Sequence, residues 1–277
     1  MSTEADAIDA SREPVTVASL TNDLHSLGVH EGAIVMVHSS LSALGWVAGG
    51  AQAVVEALLA AVGPAGTIVM PTQSGQLSDP AGWRNPPVPG SWIPIVRDQL
   101  PAFDVRLTPT RGMGQVVECF RALATTVRSN HPLLSVAANG PMADAIVASH
   151  PLTPALGETS PLRRLYDLDA IVALLGVGHR SNTSIHLAEY RAVRSGRATV
   201  TEGAPVLVDG QRRWVEYEDL ELDESDFDRI GEAFARTDME RTGPIGNGIG
   251  RRCTVRDIVD FAGTWMIENR IGPAPIA

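Results

Sequence analysis

Two uninterrupted apolar runs, AIVMVHSS at 33–40 and GTIVMPTQS at 66–74, flank the helical segment GGAQAVVEALLAAVG at 49–63. Runs this short and this rich in Val and Ile read as strands buried on both faces, and such strands pair in parallel through a helical crossover. The helix has a stop signal in Gly63-Pro64. A βαβ-like unit constrains the rest of the chain to an α/β fold: a central mixed β-sheet flanked by helices on both faces. In open sheets of this kind ligands bind beyond the carboxyl ends of the strands. His38-Ser39-Ser40 and Pro71-Thr72-Gln73-Ser74 are therefore predicted to enter one crevice.

The other segments fit that frame. Residues 1–14 read as a flexible tail, and 15–277 as a single domain that opens with the amphipathic helix VTVASLTNDLHSLGV. Residues 76–112 are rich in Pro, Trp and Gly, which predicts an ordered functional loop with a short helix near Ile93 to Leu100. Helices are predicted at 114–124, 142–149, 184–194, 225–236 and 254–269, and strands at LLSVAANG and 171–177. The runs APVLVDG and QRRWVEYEDLEL predict a β-hairpin around Asp209-Gly210, an antiparallel extension forming part of the cleft.

Composition narrows the function. The formal net charge is -10 and all 22 basic residues are arginine. An acidic chain without a basic run argues against nucleic acid and anionic membranes, and favours a neutral or cationic small molecule, although the same charge serves simple solubility. No apolar stretch reaches bilayer length and the N-terminus is polar, so the expected compartment is the cytoplasm. The two cysteines, Cys119 and Cys253, are expected as free thiols there.

The chemistry concentrates in HRSNTSIHLAEY, 179–190, where a strand turns into a helix. GVGHRSN and GNGIGRR each contain Gly-x-Gly, but neither completes a dinucleotide fingerprint. A phosphate-binding P-loop, a nucleophile elbow and His-Glu-x-x-His are all absent from the sequence. His179 and His186 stand seven residues apart, about two helical turns or roughly 10 Å of rise, too far for one metal ion. No metal is expected. His186, at the start of a helix, suits a general base, because the helix dipole favours the neutral ring. The same position suits a histidine that only packs. A base needs an orienting carboxylate, and the densest acid cluster, EYEDLELDESD at 216–226, can supply one where a strand returns past the helix.

The ordered set VHSSLSALG, VMPTQSG, SDPAGW, PPVPGSWIP, LTPTRGMG, RSNHPLLSVAANGP, SPLRRL and LGVGHRSNTSIHLAE resembles the aminoglycoside 3-N-acetyltransferases over nearly the whole chain. The resemblance implies transfer of the acetyl group of acetyl-coenzyme A to the 3-amine of a 2-deoxystreptamine aminoglycoside, with antibiotic resistance as the outcome. It places the catalytic histidine at His186 and the orienting carboxylates among Glu218, Asp219 and Glu221, with Asp219 and Glu221 preferred. It implies coenzyme contacts at His38, Ser39, Ser40, Leu41, Met113, Gly114, Arg128, Ser129 and His131, with Arg128 the phosphate partner. Substrate contacts fall on Gln73, Asp79, His179, Asn182 and Glu189. A polycationic drug would be drawn to a carboxylate-lined cleft, in a monomer or homodimer. The stretch Gln76-Leu77-Ser78 departs from relatives that carry an acid there. Two rivals stand beside this reading: a same-fold transferase for another amine, and a non-catalytic aminoglycoside binder.

Overall fold

The structure, a computed structural model, describes residues 4–9, 11, 13–192 and 198–270. Nine strands and ten helices are described: β1 (Ile34–Ser39), β2 (Thr67–Pro71), β3 (Val127–Arg128), β4 (Val136–Asn139), β5 (Ile171–Leu175), β6 (Thr199–Val208), β7 (Gln211–Leu220), β8 (Arg241–Ile245) and β9 (Gly248–Thr254); α1 (Glu4–Asp9), α2 (Val17–Leu27), α3 (Gly50–Val62), α4 (Ile93–Gln99), α5 (Gln115–Arg121), α6 (Ala143–Val147), α7 (Pro161–Asp167), α8 (Ile185–Arg191), α9 (Phe227–Phe234) and α10 (Val255–Asn269). Seven strands form one mixed sheet in the order β3-β4-β2-β1-β5-β9-β8. Its centre is parallel, since β1 pairs with both β2 and β5 in that sense, and its flanks are antiparallel.

Alternation along the central strands builds two cores. Val35, Val37, Ile68, Met70, Ala173 and Leu175 point to a layer containing Leu20 and Leu24 of α2, Val54 and Leu58 of α3, and Phe120 of α5. Met36, Val69, Val172 and Leu174 point to the other, with Ile146, Leu162, Leu187, Phe227 and Ile258 of α6 to α10. These strands are buried on both faces, hence their continuous apolar sequence.

The hairpin of β6 and β7 forms as expected. Val208 pairs with Gln211, and Asp209 and Gly210 both adopt positive φ (52° and 75°), the signature of a two-residue type I′ turn. It stands apart from the main sheet and is held by the long loop, through Phe103 N–H to the Pro205 carbonyl (2.9 Å) and Arg212 Nε to the Leu100 carbonyl (2.7 Å).

Two features differ from expectation. Within the predicted tail, residues 4–9 form α1 instead, and the segment is tied down: Glu4 accepts from Trp46 Nε1 (3.1 Å), and Ser11 Oγ from Trp46 N–H and Asn247 Nδ2. A β8–β9 hairpin extends the sheet from residues whose Gly, Pro and Arg content carries no strand pattern. Its turn is Gly246-Asn247, at the start of the discounted GNGIGRR motif.

Candidate active site

The parallel strands deliver their carboxyl ends to one place. β1 ends in His38 and Ser39, β2 leads through Pro71 to Gln73, and β5 leads through Gly176-Val177-Gly178 into a short turn, His179–Ser181, and then α8. These segments, with Gly112, Met113 and Val117 at the start of α5, enclose a cavity of about 280 Å³ into which His186 and Asn182 face. A second cavity of about 450 Å³, bounded by Trp83, Leu133, Arg111 and Glu202, meets it at Gln73.

His186 is fixed from its own helix. Its Nδ1 lies 2.5 Å from Glu189 Oε2, one turn further along α8, and its ring rests on Phe227 at 4.9 Å. Glu189 is fully buried, and its other oxygen accepts from Arg270 Nη1 (2.6 Å) and from the Asp223 backbone N–H (3.1 Å). Arg270 in turn grips Asp226 with Nε and Nη2. Burial alone would lower the Arg270 pKa, but the Asp226 and Glu189 carboxylates outweigh it and hold the guanidinium charged. A carboxylate on Nδ1 keeps the proton on that nitrogen and leaves the Nε2 lone pair for the cavity.

The expected orienting acids lie elsewhere. Asp219 is buried, but Oδ2 accepts from Ala155 N–H (2.9 Å) and Oδ1 from the Tyr190 hydroxyl (2.9 Å) and from Leu220 N–H. Burial, then the Asp219 charge, raises the Tyr190 pKa, so the phenol remains a donor. Glu218 is exposed on β7 opposite Thr201, and Glu221 borders a separate depression beside Asp223 and Arg270. The carboxylate against His186 is Glu189, assigned from sequence to the substrate. Among the described residues every hydrogen bond of the Asp219 carboxylate is accepted from a donor, so Asp219→Asn sets an amide N–H against one of them. It is expected to cost about 1–3 kcal/mol of stability, read as a lower melting temperature, while kcat stays within a few-fold of wild type.

The coenzyme set divides. His38, Ser39 and Met113 line the first cavity, and Gly114 follows at the N-terminus of α5. Ser40 and Leu41 enter the next turn, where Ser40 N–H donates to the Leu175 carbonyl and Leu41 packs on the core. Arg128 is committed to the protein: its guanidinium donates to the carbonyls of Thr108 and Thr72 and to the hydroxyls of Ser74 and Ser135, and lies over the Phe103 ring. Most of its five N–H donors are consumed, which removes it as a free phosphate clamp. Ser129 and His131 belong to a buried network, with Ser129 Oγ 2.8 Å from His150 Nδ1 and His131 Nδ1 accepting from Leu133 and Leu134 N–H.

Of the substrate set, Gln73 borders both cavities and Asn182 the first. Asp79 is held by Arg97 at 2.6 Å and caps Ala81 N–H. His179 is buried behind the cavity: Asn182 Nδ2 approaches its Nδ1 (3.3 Å), and its Nε2 donates to Glu240 (2.6 Å), which also meets Arg251 at 3.2 Å. α9 can pack on this ring because residue 231 is glycine; a Cβ there would come within 2.7 Å of it. Glu202 and Glu240 escaped the sequence reading, which had no local signal for either. Glu189 could have been paired with His186 from the i,i+3 spacing in HLAE. Among the described residues no group of three or more His, Cys, Asp or Glu could hold a metal ion, and no helix is long and apolar enough to cross a membrane.

Residues 36–267 match the family model of the aminoglycoside 3-N-acetyltransferases. The chain belongs to this acetyltransferase family. It is 46% identical, over 95% of its length and 96% of the relative's, to the prophage-derived aminoglycoside N(3')-acetyltransferase-like protein YokD of Bacillus subtilis (strain 168). The crystal structure of YokD superposes with a TM-score of 0.93 at 44% identity, covering 96% of this chain and 98% of YokD. A structure of AAC-IIIb in binary complex with CoASH is similar at a TM-score of 0.83 and 30% identity, covering 95% of this chain and 100% of that one. One of AAC-VIa bound to sisomicin is similar at 0.82 and 32%, covering 94% and 100%. Membership accounts for the mixed sheet, shared with these similar structures.

Proposed function

We propose that this acetyltransferase moves the acetyl group of acetyl-coenzyme A to the 3-amine of a 2-deoxystreptamine aminoglycoside, by direct transfer with both substrates present. The observation that carries the reading is the His186–Glu189–Arg270 chain ending at a cavity wall. His186 Nε2 takes the proton of the attacking ammonium or amine, and Glu189 stabilises the imidazolium that forms. The thiolate of coenzyme A leaves, and no enzyme nucleophile takes part. Two cavities that meet at Gln73 offer room for two substrates, and holding both at once supplies much of the rate. The similar proteins named with CoASH and with sisomicin support this pairing of ligands.

Glu202 is the half-buried acid of the second cavity. Burial, then the charges of Asp79 and Asp219, raises its pKa, so a substrate ammonium is the counter-charge that would keep it ionised. Glu202→Gln is expected to raise KM for the amine about tenfold, the worth of one charged hydrogen bond, with kcat at saturation largely kept. Saturation curves for thiol release give both constants.

One observation favours a different amine of the same reaction class. The two cavities are bordered by Arg84, Arg111 and Arg180 against Glu202 and Glu224, so the carboxylate-lined cleft expected for a polycation is not what these walls present. Coenzyme phosphates are one use for those arginines; an anionic group on the acceptor is another. Thiol release from acetyl-coenzyme A across a panel of aminoglycosides and simpler amines decides. Turnover with 2-deoxystreptamine drugs is the expected result, turnover only with other amines favours the second reading, and release with none overturns transfer altogether.

A further inference from the structure

His38, next to last in β1, stands in the wall of the same cavity as His186, and it is 6% exposed. Its Nε2 is buried and has no hydrogen-bond partner among the described residues. The other buried histidines differ: His179 is held at both nitrogens, and so are His131 and His150. An unsatisfied buried ring nitrogen is costly, and among these rings that cost falls on the one in the cavity wall. A buried polar atom left unpaired in a native fold calls for a reason, and a catalytic role is one.

We propose that His38 is a further catalytic residue, its imidazole N–H donating a hydrogen bond to the carbonyl oxygen of the acetyl thioester as the amine attacks. The proposal rests on the acetyl-transfer reading above. The amine, losing its proton to His186, forms the N–C bond while the carbonyl π pair moves onto oxygen, where the His38 N–H meets the growing charge. The pair then returns, the C–S bond breaks, and the departing thiolate takes the proton held on His186. Burial first, then the neighbouring His179 and His186, depresses the His38 pKa to about 3. The ring therefore stays neutral through the reaction, unable to store a proton and suited to donate one hydrogen bond, a division of labour from His186. A fixed donor at developing oxyanion charge is worth about 10²–10³ in rate.

The test compares wild type with His38→Leu, which removes both nitrogens, and His38→Gln, whose amide keeps a donor near the Nε2 position. Infrared difference spectra of bound acetyl-coenzyme A, carbon-13 labelled at the carbonyl, are expected to show a lowered carbonyl stretch in wild type. The shift should vanish in His38→Leu and return in part in His38→Gln. In parallel, kcat should fall about 10²-fold in His38→Leu with KM for acetyl-coenzyme A within a few-fold, and His38→Gln should recover at least a tenth of wild-type turnover. If His38→Leu does not fold, judged by circular dichroism, His38→Phe replaces it. An equal carbonyl frequency in bound wild type and the apolar variant, or a loss confined to KM, overturns the donor role and leaves acetyl transfer standing. Failure of wild type to bind acetyl-coenzyme A overturns transfer itself, and the donor role with it.

Discussion

His186→Gln is expected to lower kcat by about 10³-fold, in the range that a positioned general base contributes, with KM for acetyl-coenzyme A changed only a few-fold. Among the described residues the ring is held by a hydrogen bond to Glu189 and contact with Phe227, and Glu189 keeps Arg270 without it, so the fold is expected to survive its loss. Initial rates of thiol release, with circular dichroism and coenzyme affinity as controls, check the outcome. Near-wild-type turnover would remove His186 from the chemistry. A loss confined to KM would make it a binding residue.

Glu189→Gln is expected to damage both activity and stability. Glu189 is fully buried between His186 and Arg270, and it accepts from the Asp223 backbone as well. Removing one member of a buried charge pair costs about 3–5 kcal/mol, here moderated because Arg270 keeps Asp226. An imidazole without its carboxylate loses its tautomer and its support when protonated, a loss on the order of 10²–10⁴ in kcat for a comparable dyad. Thermal unfolding and saturation kinetics separate the two effects. The contrast with Asp219→Asn is the discriminating one, since that variant is expected to lose stability and keep turnover.

The difference between those two carboxylates marks where sequence reading stops. Asp219 stood in the densest acid cluster and Glu189 alone within a helix, and a lone acid within a helix ordinarily faces solvent. Glu189 is a buried partner because Arg270, 81 residues away, reaches it from the end of α10, a contact with no local trace. Arg128 misled for the reverse reason. Charge and fork geometry make Arg128 the natural phosphate partner, yet the chain folds its own carbonyls around it. What was legible depended on periodicity and turn chemistry: the apolar β1 and β2, the Asp209-Gly210 turn, and the strand-to-helix turn that presents His186. The β8–β9 hairpin was not, because its residues pair at the sheet's flank without an apolar alternation. α1, at six residues, is too short to be stable alone and exists through Glu4 and the neighbouring Ser11, which meet Trp46 and Asn247.

The most direct test of direct transfer from acetyl-coenzyme A, with His186 as base, is a single-turnover experiment under rapid quench, with mass spectrometry of acceptor, coenzyme and intact protein at each time point. The acetyl group should appear on the amine at the same rate as free thiol, with the protein mass unchanged throughout, and both rates should fall together in His186→Gln and Glu189→Gln. An acetylated protein that forms before the product, or rates unaffected by loss of His186, would contradict it.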